Sequence, residues 1–292
     1  MLAQQLLNGL ALGSIYSLVA LGFTMVYGIL FMMNMPHGDV LMVGAYVALV
    51  VLGYLGGLWG LIIAMVMAVS AASILGIVME KLAYKPLRKA RRIAPLLSAF
   101  GVVIVLENGA MLIWGPEIRA FPRVLEFQAF TVFGIYIYPL IILIFITSVV
   151  LMFGLQVFVH KTKIGIAIQA TSQDRDTAKL MGISLDRAIS TTFAVGSGLG
   201  AIAGLELALY WNVIYPTIGF PVMIKSFAAC VLGGIGNIWG AMLGGMLMGM
   251  IEVLAVGYIS SGYRDAIAFS VIILFLLFKP SGLLGGREEV VT

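Results

Sequence analysis

The stretch VLMVGAYVALVVLGYLGGLWGLIIAMVMAVSAASILGIVM, residues 40–79, decides the class of fold because it contains no Asp, Glu, Lys or Arg. As an α-helix it would extend about 60 Å at ~1.5 Å per residue, which is two crossings of a ~30 Å hydrocarbon core. No charged residue precedes Asp39, and none lies between Lys225 and Glu252. These runs predict several membrane-spanning helices.

The composition of the whole chain leads to the same class of protein. Of its 292 residues, 62% are hydrophobic and only 10% are charged, and the mean hydropathy is +1.11. A soluble domain carries about 25% charged residues, so most of this surface must face lipid. The apolar runs do not alternate with polar residues in segments of ~10, which favours helices over a transmembrane barrel.

Two smaller observations limit the options further. Residues 1–5 carry no Lys or Arg ahead of the first apolar run, which disfavours a cleaved signal peptide. The lone Cys230 excludes an internal disulfide.

We therefore predict an all-α polytopic membrane protein with about eight or nine transmembrane helices in one domain, residues 1–292. The predicted segments are 6–30, 38–56, 58–80, 94–114, 137–159, 188–209, 221–236, 238–258 and 262–279. Segment 221–236 is only about 22 Å long as a helix, and the residues Asn34–Asp39 form a polar break. Either place could be a broken or re-entrant segment, which is tolerated only where protein or a water-filled cavity covers it.

Basic residues cluster in three connections and predict the orientation of the chain. The stretches 81–93 and 160–187 and the tail after Phe278 hold most of the 17 basic residues. The residues are Lys81, Lys85, Arg88, Lys89, Arg91, Arg92, Lys161, Lys163, Arg175, Lys179, Arg187, Lys279 and Arg287. Cytoplasmic loops carry an excess of Lys and Arg, so these connections belong in the cytoplasm and the N-terminus outside. The net charge of +4 is thus loop charge, and no nucleic-acid partner is expected.

Glycines recur at four-residue spacing in two of the predicted spans. This spacing clears one helix face so that a neighbouring backbone can approach closely. The residues are Gly196, Gly200, Gly204, Gly236, Gly240 and Gly244. We expect them to pack helices tightly, and such thin helices could also line a path or contact a second subunit.

The connection 160–187 has the local signals of two short helices. Thr171 with Asp174 fits a capping box and Gly182 fits a C-terminal stop, so one helix is expected between them. A second short helix is expected from Gly165 to Ala170. Such a helix pair could dock into a groove of a soluble partner, or it could be an ordinary solvated connector.

This connection resembles the cytoplasmic coupling loop of bacterial ATP-binding-cassette importer permeases, and most closely that of the branched-chain amino-acid permease family. The matching residues are Gly165, Ala167, Ala170, Ala178, Gly182 and Ile183. Residues 34–39 with 44–46 are similar to the family's polar break, and residues 232–241 to its glycine-rich segment. The resemblance extends from about residue 6 to residue 286. Gln169 departs from the family, which commonly has Arg there.

The resemblance implies a multi-subunit importer with a short cytoplasmic coupling helix pair in this chain. Its expected partners are a second permease, homologous or identical, two cytoplasmic ATP-binding subunits and a periplasmic amino-acid-binding protein. Asp174 and Arg175 lie inside the coupling loop and join the expected contact residues. No Gly-Lys dipeptide occurs, so the chain lacks a Walker A phosphate loop. We expect a transport subunit of the bacterial inner membrane with no enzymatic activity of its own and no cofactor.

Ionisable residues inside spans usually mark a pathway or an ion pair, because a charge at mid-membrane costs at least ~2.5–3.5 kcal/mol. Glu107, Glu206, Lys225 and Glu252 fall in the outer halves of their predicted spans. Glu206 and Lys225 flank one short outer connection at similar depth, so they could pair with each other. The four residues could line an outward vestibule, or each could have a purely structural partner.

The polar break offers further candidates for the pathway. Asn34, His37 and Asp39 could form a gate, or His37 could satisfy backbone groups freed by Pro36. A metal site is not expected, because the other histidine, His160, is distant in the sequence.

Three functions remain open at this stage. The first is a permease for branched-chain or other aliphatic amino acids that is driven by ATPase subunits, and the second is the same machinery for urea or short amides. The third is a self-contained secondary transporter in which the charges within the spans carry ion coupling. The coupling loop separates the third from the others, because a secondary transporter has no reason to keep it.

Overall fold

The computed structural model describes residues 2–88, 90–91, 93–122, 124, 130–132 and 135–285. Its helices are α1 (Leu2–Leu30), α2 (His37–Tyr54), α3 (Gly57–Met79), α4 (Ile93–Trp114), α5 (Pro139–Lys161), α6 (Lys163–Gln173), α7 (Arg175–Leu180), α8 (Leu185–Trp211), α9 (Gly219–Gly233), α10 (Ile238–Tyr258) and α11 (Arg264–Phe278). A π-helical turn, Glu80–Tyr84, and a 3₁₀ turn, Lys85–Leu87, continue α3. Two short antiparallel pairs join β1 (Arg119–Ala120) to β4 (Val213–Ile214) and β2 (Phe130–Val132) to β3 (Ile135–Ile137).

The prediction of an all-α polytopic membrane protein is confirmed. Each predicted segment coincides with a helix, and seven helices in the described residues are long and apolar enough to cross a membrane. The other two, α9 and α11, have 15 residues each. At ~1.5 Å per residue they are about 22 Å long, which is shorter than a ~30 Å hydrocarbon core.

Helix α1 is the centre of the bundle. It packs against α5, α8, α9 and α10. In its most apolar stretch of 18 residues, 94% of the residues are buried. A helix that is apolar on all sides is expected to be buried by other helices. By contrast, α3, α4 and α5 expose most of their apolar side chains, as helices in contact with lipid do.

Close helix contacts depend on glycine. A Cβ atom at Gly196 of α8 would lie 2.9 Å from the carbonyl oxygen of Gly22 in α1. Gly204, Gly240 and Gly244 also meet backbone atoms of neighbouring helices, and Gly200 faces the His37 ring. Gly245 and Gly249, which lie beside the spaced glycines in the sequence, bring α10 against α1 together with Gly13, which the sequence did not reveal.

Gly236 contradicts the prediction of a packing glycine on a helix. Helix α9 ends at Gly233, before the predicted end of segment 221–236, and Gly234 and Gly236 have φ values of 105° and 85°. These left-handed conformations suit glycine and form the tight turn into α10. Gly236 is therefore part of the turn and not of a helix contact. A Cβ atom added to it would have no neighbouring atom within 4 Å.

The described parts of the basic connections lie together at one end of the bundle. Lys85 forms an ion pair of 2.7 Å with Asp186 at the start of α8, and the amide of Leu283 donates to the Leu232 carbonyl at 2.8 Å. At the opposite end, Gln4 donates to the Tyr136 carbonyl at 3.0 Å. This separation agrees with the predicted orientation; Lys89, Arg92 and Arg287 lie outside the described residues.

The chain breaks between α1 and α2 and turns back into the bundle. Phe31 has a φ of 54°, which is rare for a bulky residue and costs of order 1–3 kcal/mol. Residues 31–36 then return the chain to the level of Gly22, since a Cβ atom there would lie 2.6 Å from the Nε2 atom of His37. Gly22 is about 12 Å along α1 from its end at ~1.5 Å per residue. Helix α2 therefore begins inside the protein.

The α1–α8 contact yields a stability prediction. Gly196→Val should lower the free energy of unfolding by about 1–3 kcal/mol, because the new side chain must displace the Gly22 carbonyl. The matched control is Gly154→Val on α5, where nothing lies within 4 Å of the added Cβ atom. Thermal melting in mild detergent measures both variants. Equal melting temperatures would contradict the close packing of α1 on α8.

Candidate functional site

The connection after α5 forms two short helices at the basic end of the bundle, but their boundaries differ from the prediction. Helix α6 runs from Lys163 to Gln173, with Thr162 as its N-cap residue; the Thr162 hydroxyl accepts from the Gly165 amide at 3.0 Å. Thr171 is inside α6 and donates to the Ala167 carbonyl at 2.7 Å. The predicted capping box of Thr171 and Asp174 is therefore wrong.

Asp174 is itself the N-cap residue of α7. Its Oδ1 atom accepts from the amides of Asp176 and Thr177, at 2.9 and 3.1 Å, and its Oδ2 atom accepts from the Thr177 hydroxyl at 2.6 Å. The hydrogen bond from the Thr177 hydroxyl, together with that from the Thr177 amide, holds the pKa of Asp174 below its usual value. The negative charge thus stays at the helix N-terminus, where the helix dipole favours it.

Gly182 ends α7 as predicted. Its φ is 81°, its amide donates to the Lys179 carbonyl at 3.0 Å, and the Ile183 amide donates to the Ala178 carbonyl at 3.0 Å. These two bonds form a Schellman motif. They present Leu180 and Met181, 87% and 78% exposed, at the end of the loop.

The loop residues that carried the family resemblance divide into two groups. Gly165 and Ala178 are buried, and a Cβ atom at Gly165 would lie 2.6 Å from the Val159 Cα atom of α5. They hold the loop against the bundle, as do the partly buried Ala167, Ala170 and Ile183. The most exposed apolar side chains of the loop are instead Leu180 and Met181, with Ile164 and Ile166 of α6 exposed to 43% and 52%. The sequence signal for Leu180 and Met181 was an apolar pair directly before a helix-ending glycine.

Gln169 is engaged within its own chain. Its Nε2 atom lies 2.8 Å from the Nδ1 atom of His160 at the end of α5. The pair lines a cleft of about 600 Å³ between α1, α5, α6 and the turn after α9.

The polar break places three candidate residues in the interior. Asn34 accepts a hydrogen bond of 3.0 Å from the Tyr84 hydroxyl, and the His37 side chain is fully buried between Gly22 and Gly200. Within the described residues, neither His37 nitrogen has a hydrogen-bond partner. The interpretation that His37 satisfies backbone groups freed by Pro36 is therefore wrong.

Asp39 lies in the first turn of α2 and is also buried, with its Oδ1 atom unpaired among the described residues. Glu107 of α4 is half-buried and lies close enough to Asp39 for the two carboxyl groups to interact. On the next turns of α2, Tyr46 stacks on Trp114 of α4 with ring centroids 4.7 Å apart, and its hydroxyl is unpaired as well. The interface of α2 with α4 thus contains polar groups that have no hydrogen-bond partner among the described residues.

The predicted pair of Glu206 and Lys225 does not form. Glu206, on α8, accepts from two hydroxyl groups of α5, those of Thr147 and of Ser148, the latter at 2.9 Å. Lys225, on α9, instead forms an ion pair of 2.9 Å with Glu252 on α10. The pairing of Glu206 with Lys225 was inferred from their positions along the chain. The rotation of each helix about its axis decides which neighbour its side chain contacts.

The Lys225–Glu252 pair continues into a network at the outer end of the bundle. Lys225 also contacts Asp265 at 2.8 Å, and Glu252 accepts from the Tyr16 hydroxyl of α1 at 2.9 Å. Arg264 lies 3.3 Å from Glu252. Sequence reasoning missed Asp265, Arg264 and Tyr16; the charged Arg264-Asp265 dipeptide at the start of the last apolar segment was the available signal.

A second network that the sequence did not reveal lies at the basic end. Arg88 bonds to Glu80 and forms an ion pair of 2.6 Å with Asp186. Glu80 is buried and also accepts from the Ser190 hydroxyl at 2.7 Å. The network ties the continuation of α3 to the start of α8.

The fold and the site together define a class of protein. The chain is a multi-pass membrane protein with a broken helix in its interior and a capped helical loop projecting from its basic end, which are features of a membrane permease.

Comparison with known proteins gives the family. Residues 5–278 match the family described as branched-chain amino acid transport system / permease component. The high-affinity branched-chain amino acid transport system permease protein BraD of Pseudomonas aeruginosa is 42% identical over 298 residues, which cover 98% of this chain and 96% of BraD. The corresponding protein LivH of Escherichia coli K12 is 41% identical over 298 residues with the same coverage.

The similarity extends to an archaeal relative. A probable branched-chain amino acid transport permease protein LivH of Methanocaldococcus jannaschii is 29% identical over 285 residues, or 92% of this chain and 88% of that protein. No solved structure matches the chain. The chain belongs to the branched-chain amino-acid transport permease family.

The Lys225–Glu252 pair generates a second stability prediction. Lys225→Met or Glu252→Gln alone should destabilise the protein by about 1.5–3 kcal/mol, because each removes a charge-assisted hydrogen bond from a buried network while the remaining charge keeps Asp265 or Arg264 as a partner. The double variant should lose less than the sum of the two, since both charges are then gone. Thermal melting of the four proteins in mild detergent gives the coupling.

The control is Arg264→Gln, since Arg264 is 40% exposed and its interaction is screened by solvent. Single variants as stable as the wild type would show that the ion pair is not formed in the protein.

Proposed function

We propose that this chain is a permease subunit of an ATP-binding-cassette importer that moves branched-chain or other aliphatic amino acids across the bacterial inner membrane. ATP is hydrolysed by two cytoplasmic subunits, a second permease completes the path, and a periplasmic binding protein delivers the amino acid. The observation that carries the proposal is the capped helical loop α6–α7 with its exposed apolar end. The family membership supports the choice of substrate.

The loop is suited to dock on a soluble partner. Leu180 and Met181 are almost fully exposed at the end of α7, on the side of the bundle where the basic connections lie. Exposed apolar side chains in water favour burial by about 25 cal/mol per Å². Because Asp174 caps the start of α7 and Gly182 its end, the loop can transmit a displacement as a rigid unit.

The substrate path is proposed to pass the break between α1 and α2. His37, Asp39 and Tyr46 carry buried polar atoms without partners among the described residues. Such groups are costly in a static interior, so their retention supports a segment that meets water or substrate during transport. Glu107, half-buried on α4 beside Asp39, belongs to the same proposed path.

The charged residues Glu206, Lys225 and Glu252 have structural partners in this conformation. Their contribution to the path is therefore proposed to be indirect, by holding α5, α9 and α10 in position. Asn34, bonded to Tyr84, has the same role at the inner side of the break.

The test is co-purification of tagged chain from its native membrane in mild detergent, with mass spectrometry of the recovered proteins. The wild type should bring down an ATPase and a second permease. Leu180→Asp and Gly182→Trp should lose the ATPase, because the first charges the apolar end and the second replaces a glycine with φ of 81° by a bulky residue.

A matched control places the same charge at the other end of the bundle. Ile259 follows α10 and is 69% exposed, so Ile259→Asp should leave ATPase recovery unchanged. Recovery of the wild-type chain without any ATPase would contradict the proposal.

A further inference from the structure

A second cleft lies beside the coupling loop, between the end of α1 and the start of α7. We call it the arginine cleft; its volume is about 690 Å³. Its lining residues are Tyr27, Leu30, Phe31, Met32, Arg88, Ala90 and Thr171–Arg175. It is distinct from the apolar end of α7.

The charges in the cleft are unevenly satisfied. Arg88 is bonded to Glu80 and Asp186, and the oxygens of Asp174 accept the bonds that cap α7. Within the part of the chain that the structure describes, no carboxylate lies within ion-pair distance of Arg175. The cleft therefore offers one uncompensated positive charge.

Arg175 is held in place at the end of α1. Its Nη2 atom donates to the Ile29 carbonyl at 2.5 Å, which is one of the carbonyls left free at the helix C-terminus and favours a cation. Burial, and then the positive charge of Arg88, lower the pKa of Arg175. A guanidinium has five N–H donors, so the bond to Ile29 leaves donors available for a ligand.

One wall of the cleft, at the end of α1, is apolar and is formed by Tyr27, Leu30, Phe31 and Met32. Phe31 is 66% exposed and has a left-handed backbone conformation, which presents its ring at the rim. An aromatic ring beside an unpaired guanidinium suits an acidic side chain flanked by an apolar residue.

We propose that the arginine cleft receives an aspartate or glutamate side chain of the cytoplasmic ATP-binding subunit, with Arg175 as its ionic partner and Phe31 as the apolar wall. The inference rests on the proposed function. Arg175 is five residues from Leu180 in one helix, or about 8 Å at ~1.5 Å per residue, so a protein seated on the end of α7 also covers the cleft. The acidic side chain thereby contacts the residue that caps α1 directly before the break.

Zero-length cross-linking identifies the occupant. In the purified complex, Arg175→Lys supplies an amine that a water-soluble carbodiimide joins to a carboxylate in direct contact. We expect mass spectrometry to find position 175 linked to an acidic residue of the ATPase. A link only to this chain's own Glu288 or Glu289, or no link at 175 although the ATPase is present, would overturn the proposal.

Binding measurements test the charge itself. Arg175→Gln should weaken ATPase binding roughly tenfold, as expected when a charge-assisted hydrogen bond is lost, while Arg119→Gln, exposed at the opposite end of the bundle, should leave it unchanged. Arg175→Glu should weaken it further, and replacing the cross-linked acid of the ATPase by Arg should restore it. Melting curves of all variants, with Arg175→Lys as reference, exclude misfolding as the cause.

The outcomes separate this inference from the proposed function. A wild-type chain that recovers no ATPase removes the proposed function, whereas equal ATPase affinity of the wild type and Arg175→Gln removes only the inference. Native mass spectrometry provides one more contrary result. A bound phospholipid that is lost in Arg175→Gln, with ATPase binding intact, would show that the cleft holds a lipid phosphate.

Discussion

The structure depends on one constraint: lipid offers no hydrogen-bond partners, so a backbone break inside the membrane must be covered by protein or by a water-filled path. The break at residues 31–36 meets this condition because α8 and α9 enclose the start of α2. Glycine makes the enclosure possible, since Gly22, Gly38 and Gly219 bring backbones and the His37 ring into direct contact. Polar atoms of His37 and Asp39 are consequently trapped in the interior without partners among the described residues.

The break is also where the cytoplasmic end of the protein meets its interior. Arg175 of the coupling loop bonds to the Ile29 carbonyl, two residues before the left-handed Phe31. On the other side, the network of Arg88 with Glu80 and Asp186 fixes the continuation of α3 to α8. The loop thus contacts α1 both through the Arg175 side chain and through the packing of α6 on α1, while the Arg88 network joins α3 to α8. The loop α6–α7, which we propose as the docking surface, is thus physically connected to the break that we propose as part of the substrate path.

The sequence predicted the class of fold, the helical segments and the grouping of the basic loops. Charge-free runs indicate helices within the lipid, and clustered Lys and Arg residues indicate loops in water. The partners of individual charges were not predictable. Lys225 meets Glu252 and not Glu206 because helix rotation and crossing, which one sequence does not reveal, decide the contact. Likewise, Asp174 and not Thr171 caps α7, because α6 continues to Gln173 and takes Thr171 into its last turns.

The most direct test of the account is transport by the purified complex in proteoliposomes that enclose ATP, with the periplasmic binding protein supplied outside. The account predicts that labelled leucine accumulates only when ATP is enclosed, and that excess isoleucine or valine suppresses the uptake whereas urea does not. Uptake of leucine by this chain without ATP, driven by an ion gradient, would contradict it and identify a secondary transporter. ATP-driven uptake that urea or acetamide suppresses and leucine does not would contradict the assignment of the substrate.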